Sequence, residues 1–185
     1  VSPPGTVYNI LYEGDVITVA PQEGEWTPGS AIFQVHPGGF YGYTPSAHRA
    51  KPPTQFSAPL CWIPRLQDNS CGGQVWVPDD VWGKLAKRPL HLSYGTSQMF
   101  LLLRGSAIRN WEAKSIAGGG LSVLPEENQK DDHVIWSGAT VPLSLPFESG
   151  VMRGRFRRSE EQLYVSGLRG WVSNAAKDGC FQRVR

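Results

Sequence analysis

Along most of this chain the apolar residues come in short runs, alternate with polar ones inside each run, and are separated by turn formers. Alternation with a period of two marks strands that bury one face. The pattern predicts two β runs in VYNILYEGDVITVAP (7–21), on either side of an acidic Glu-Gly-Asp turn. It predicts a further strand in AIFQVHPGGFYGY (31–43), which runs on into a glycine-rich aromatic loop. LCWIP, GQVWVP, PLHLSYGT and QMFLLLR then follow at short intervals, and ATVPLSL, VMRGRF, QLYVSGL and CFQRVR close the chain. PDDVWGKLA (78–86) is the one short helix signal: Pro-Asp-Asp opens it and Gly83 limits it to a turn or two.

Two segments break the rhythm. TPSAHRAKPPTQFSAP (44–59) holds four prolines and little periodicity, so it reads as an extended connection. The region 104–135, with its triple glycine and charged tail, reads as an inserted loop, with LSVLP as an added strand. The whole chain reads as a single all-β domain. Strands recurring about every ten residues favour a sandwich, barrel or propeller over a parallel α/β sheet. No exact repeat occurs, yet LHLSYGTSQMFLLLR and MRGRFRRSEEQLYVSGLRG share one shape: strand, polar turn, strand emerging near a glycine. Successive propeller blades would look like this.

Composition narrows the function without naming it. With 40% hydrophobic and 18% charged residues, the chain of 185 suits a globular protein with a real core. A net charge of +2 implies neither a nucleic-acid footprint nor a membrane surface. The longest apolar run, MFLLL, is too short to span a bilayer. The start at VSPPG, with no initiator methionine and no signal peptide, is expected of a processed chain or a piece of a larger protein. Cys61, Cys71 and Cys180 form no CxxC, which leaves a Cys61–Cys71 disulfide or free buried thiols.

Candidate chemistry collects in four places. In PRLQDNSCGGQVWV (64–77), Asp68 and Asn69 suit Asx-turns beside two glycines, with Arg65 either pairing with Asp68 or facing a ligand. In VHPGGFYGY, His36 is a candidate general base, with Phe40, Tyr41 and Tyr43 as a stacking surface or as packing beneath the loop. In PLHLSYGT, His91 faces away from Leu90 and Leu92 and shares its face with Ser93, but no GxSxG elbow supports acyl transfer. In GLRGWVSNAAKDGC, glycines flank Arg169 next to Trp171, and Arg153 and Arg155 share a strand face that can join the same anion-binding space. No metal-ligand spacing and no GxxxxGK[ST] phosphate loop occurs.

The blocks GEWTPGSAIFQVHPGGFYGY, PLCWIPRLQDNSCGGQVWVPDDVWG, LHLSYGTSQMFLLL and GVMRGRFRRSEEQLYVSGLRGWVSNAAKDGCFQRVR appear in that order. Together they resemble the later blades of the propeller domain in large secreted bacterial proteins similar to soluble quinoprotein glucose and sorbosone dehydrogenases. DNS-x-GGQVWV and YVSGLRGW carry most of the likeness, which covers the chain apart from the insertion. It implies about half of a six-bladed ring of four-stranded blades, in a periplasmic or secreted protein. It further implies oxidation of a sugar or alcohol through pyrroloquinoline quinone with calcium, and electron transfer to a c-type cytochrome module. The alternative is a non-catalytic propeller that binds carbohydrate or a partner domain. The motifs carrying the family's histidine base and calcium ligands have no counterpart here, so no catalytic residue is carried over. The ligand-binding expectation is Arg65, Asp68, Asn69, Arg153, Arg169 and Trp171, with no metal ligands in this chain.

Overall fold

The computed structural model describes residues 16–19, 29–35, 39–41, 51, 54, 57–108, 134–170 and 173–185. These residues build ten strands in three antiparallel sheets, and none of them lies in an α-helix. The first sheet contains β1 (Val16–Val19), β2 (Gly29–Gln34) and β3 (Cys61–Pro64), in that order. The middle sheet is a four-strand meander of β4 (Cys71–Trp76), β5 (Pro89–Ser93), β6 (Gln98–Ile108) and β7 (Val134–Leu143). The last contains β8 (Gly150–Arg157), β9 (Gln162–Leu168) and β10 (Phe181–Val184).

Alternation places the core as the sequence pattern requires. On β5, Leu90 and Leu92 turn to one face and join Val75, Met99, Val151, Leu163 and Val165 between the middle and last sheets. On the opposite face Leu102 packs with Ile32, Leu60 and Ile63 of the first-sheet side. The middle sheet is thus covered on both faces. Leu90, Leu92 and Leu163 are completely buried, and each such side chain contributes about 1.5–3 kcal/mol of transfer free energy.

Between sheets, β4 lies beside β8 and β3 beside β7. Both β4 and β8 carry a bulge near their start, where Gly72 and Met152 each add an extra residue to the ladder. The two bulges meet. A Cβ on Gly72 would sit 1.8 Å from the Val151 carbonyl oxygen, so only glycine permits this approach. Arg153 fastens the same point, donating from Nη1 to the Gly72 carbonyl at 2.7 Å.

Several expectations meet particular outcomes. Only Val16–Val19 of the 7–21 hairpin lies within the described residues, as the second of its two runs. The segment 78–86 forms a single 3-10 turn, Gly83–Leu85, after Trp82 adopts a left-handed conformation at φ 58°. A left-handed residue at that point stops a longer helix from starting. The ends of β6 and β7 reach into the region read as a loop, pairing out to Ile108↔Val134, and 109–133 lie outside the described residues. The two look-alike segments are indeed hairpins, β5–β6 and β8–β9, each closing through a left-handed residue, Ser97 or Glu161. They occupy different places in their sheets: strands two and three in one, strands one and two in the other. All three cysteines are free thiols, so the Cys61–Cys71 disulfide is not formed.

Candidate functional site

The polar knot between β3 and β4 begins as a turn. The Pro64 carbonyl accepts from the Gln67 and Asp68 N–H groups, which folds the chain back at residues 65–67. This turn directs Asp68 inward, to a position with no solvent exposure. Burying a carboxylate is costly unless its oxygens find partners. Here His91 meets Oδ2 through Nε2 at 2.5 Å, Ser93 donates to Oδ1 at 2.6 Å, and the Ser70 N–H donates to Oδ1 at 3.1 Å.

Each partner is placed by strand alternation. His91 and Ser93 share one face of β5 while Leu90 and Leu92 fill the other. Cys71, opposite Ser93 in the ladder, donates its thiol to Ser30 Oγ at 3.1 Å and so ties the network to β2. Thr96 completes the rim: its backbone N–H donates to Ser93 Oγ at 3.2 Å and its hydroxyl donates to the Gln67 carbonyl. The Tyr94 and Gly95 N–H groups both donate to the Ser70 carbonyl. The loop before β4 and the hairpin after β5 are thereby sewn together.

Burial alone would push the Asp68 carboxyl upward. The hydrogen bond and charge of His91, with the bond from Ser93, outweigh burial and hold it below the ordinary value. The Cys71 thiol is driven the other way, well above its usual range, by burial and by the negative charge of Asp68. A carboxylate is therefore favoured and a thiolate disfavoured at the same spot. Ser93 gives its proton to Asp68 rather than to His91, so the three do not form a nucleophile–base–orienter relay.

Asp68, Cys71 and His91 also offer ligand atoms within 4.8 Å of one another, the kind of set that can hold a soft or borderline metal ion. A calcium ion, which takes six to eight oxygen ligands, does not fit one carboxylate, one thiol and one imidazole. Within this cluster His91 Nδ1 is buried with no hydrogen-bond partner among the described residues.

The other predicted residues go to different places. Arg65 and Asn69 are exposed on the turn, Asn69 with its side-chain oxygen against Gly95. Arg153 reaches the knot from outside, at the Gly72 carbonyl, not at the carboxylate. Arg169 is exposed, with its backbone N–H donating to Asp178 Oδ1 at 2.7 Å. His36, Tyr43 and Trp171 lie outside the described residues, whereas Tyr41 packs edge-on against Phe33 at 5.3 Å. Asp68 is therefore inside the knot, Arg153 meets the knot at the Gly72 carbonyl, and Arg169 joins neither.

What sequence reasoning missed is the partner of Asp68. Arg65 is the nearest cation in sequence, but His91 supplies the contact from 23 residues away. A usable signal was present: His91 and Ser93 on one strand face, among leucines, need a buried polar partner. Compared with known families, curated proteins and solved structures, the chain matches none.

Proposed function

We propose that this chain supplies consecutive blades of a β-propeller in an extracytoplasmic protein of the quinoprotein-dehydrogenase-like kind. The reading has one main structural support. Three antiparallel meanders follow one another in sequence, stack face to face, and bring β4 beside β8 and β3 beside β7. Successive blades pack in that way, leading strand on leading strand and outer strand on outer strand. The remaining blades would come from other parts of the parent protein, and a c-type cytochrome module would accept electrons from a sugar or alcohol oxidised there.

Within this reading the Asp68–His91 network stitches a blade together and takes no part in oxidation. Its carboxylate is sealed from solvent and saturated with donors. Pyrroloquinoline quinone would supply the hydride-accepting chemistry when bound, and its calcium would be held by residues other than Asp68, Cys71 and His91. The test uses the full-length protein with pyrroloquinoline quinone and calcium, followed by absorption and by dye reduction over a panel of sugars and alcohols. A shifted cofactor spectrum with substrate-dependent reduction is expected. A spectrum unchanged from the free quinone, with no reduction on any substrate, overturns the dehydrogenase reading.

That sealed network also favours a second reading, a non-catalytic propeller that binds carbohydrate or a partner domain. Retained sugar binding without turnover in the same assay would select it.

A further inference from the structure

The seam between β4 and β8 is closed at one end and open at the other. At its start the Gly72 and Met152 bulges touch, and Arg153 clamps them. In its middle Gly154 lets β8 lie against Val75 and Leu92. Beyond that point a groove of about 600 Å³ is lined by the ends of both strands. Its walls include Trp76 and Phe156, and its charged lining is Lys87, Arg104, Arg155 and Arg158 against the single carboxylate of Asp79. The whole chain carries a net charge of only +2, so this groove concentrates positive charge well beyond the average surface.

The cations arrive from three segments: Arg155 and Arg158 belong to the basic run at the end of β8, and Arg104 and Lys87 join them from distant parts of the chain. Arg104 comes from β6, and its guanidinium lies 4.8 Å above the Trp76 ring while Nη1 donates to Gln34 Oε1 at 3.1 Å. Stacking and that bond hold the planar fork in place before any ligand arrives, which lowers the ordering cost of binding. Arg155 stands on β8, with Nη1 on the Gly154 carbonyl. Arg158 follows in the next turn, 3.8 Å from Asp79, and Lys87 sits in a left-handed turn before β5.

We infer that this groove is a binding site for a small oxyanion-bearing ligand, one that presents several carboxylate or phosphate oxygens to Arg104, Arg155, Arg158 and Lys87. Guanidinium forks match both kinds of oxyanion, and several partly immobilised cations around one concave space suit a multiply charged ligand better than a single carboxylate. Asp79 pairs with Arg158 at 3.8 Å, so a bound anion competes with this carboxylate for one of the four cations.

The experiment is calorimetric titration of the full-length protein at low ionic strength with pyrophosphate, citrate and glucose. Pyrophosphate and citrate should bind and compete, glucose should not, and the tighter of the two anions identifies phosphate or carboxylate as the natural group. Arg155→Gln and Arg158→Gln should each weaken binding about tenfold, the loss expected for one charge-assisted hydrogen bond. Arg183→Gln, at an exposed cation on β10 two strands from Arg155 and outside the groove lining, should leave affinity unchanged. Both groove positions are at the surface, so folding is checked simply by an unchanged thermal transition. Failure of both anions to bind overturns the inference. So does a loss at Arg183→Gln equal to that at Arg155→Gln, which would mean diffuse attraction to the whole surface.

Discussion

Strand β4 joins two regions that treat charge in opposite ways. At its first residue, Cys71 belongs to a network in which Asp68 is wholly buried and met by an imidazole, a hydroxyl and a backbone N–H. At its last, Trp76 lines an open groove where four cations face one carboxylate. In the first region both oxygens of the carboxylate are already met by donors from the protein. The second keeps its cations at the surface, where water solvates them and a ligand can replace that water. A titratable group drawn into a core acts as a structural fastener, whereas charges held at the surface of a seam remain available for binding. The buried cluster is the more arresting constellation, but the groove is the better candidate for recognition.

Four predictions press on that contrast. The largest effect should follow removal of one buried partner. Asp68→Ala leaves His91 and Ser93 buried without their acceptor, and the expected loss is about 3–5 kcal/mol in denaturant unfolding. A loss below about 1 kcal/mol would show that the network is not a fastener. Anion affinity per folded molecule should stay unchanged in that variant.

Gly72→Ala comes next. Its methyl would meet the Val151 carbonyl, which is backbone and cannot swing aside, so the cost should be about 1–3 kcal/mol, typical of overpacking. The same variant should alter anion affinity at the far end of the seam, because β4 and β8 must move apart. Calorimetry on the variant reads both effects.

The third is the response to acid. The Asp68 carboxyl is held below its unfolded value, so its stabilisation is present above that value and is lost as pH falls through the folded one. Unfolding free energy should therefore decline below about pH 4, where unfolded carboxyls begin to protonate. Asp68→Asn should flatten this part of the pH profile. An unchanged slope would place the acid sensitivity elsewhere.

The mildest probe is thiol labelling of the native protein. Cys71 is buried and its thiol is pushed upward by burial and Asp68, so it should react only on global unfolding. Cys61, partly accessible but pushed up to about 11 by burial, should label slowly. Rapid labelling of Cys71 at neutral pH would mean that the knot opens in the folded state.

How much of this was legible in the chain differs between the two regions. Leu90-His91-Leu92-Ser93 announced by alternation alone that a histidine and a serine share a face, and the structure has them so. The knot itself was legible as a turn, because Asp, Asn and glycine in that order favour one. Its chemistry was not. Asp68 was close in sequence to Arg65, but Arg65 stays exposed on the short turn, while β5 brings His91 to the carboxylate. For the groove, Arg155 could be placed on an outward strand face, yet nothing local linked it to Arg104 or Lys87. Those residues belong to β6 and to the turn before β5, and the fold is what collects them.

By itself the sequence determined the all-β character, the position of most strands and the side each leucine faces. These are consequences of a two-residue period and of turn chemistry, both written in neighbouring residues. Tertiary structure alone decided which polar groups meet. A carboxylate buried between sheets takes its partner from whichever strand the register places opposite it. A groove exists only where the fold brings the ends of β4 and β8 together with β6 and the turn before β5.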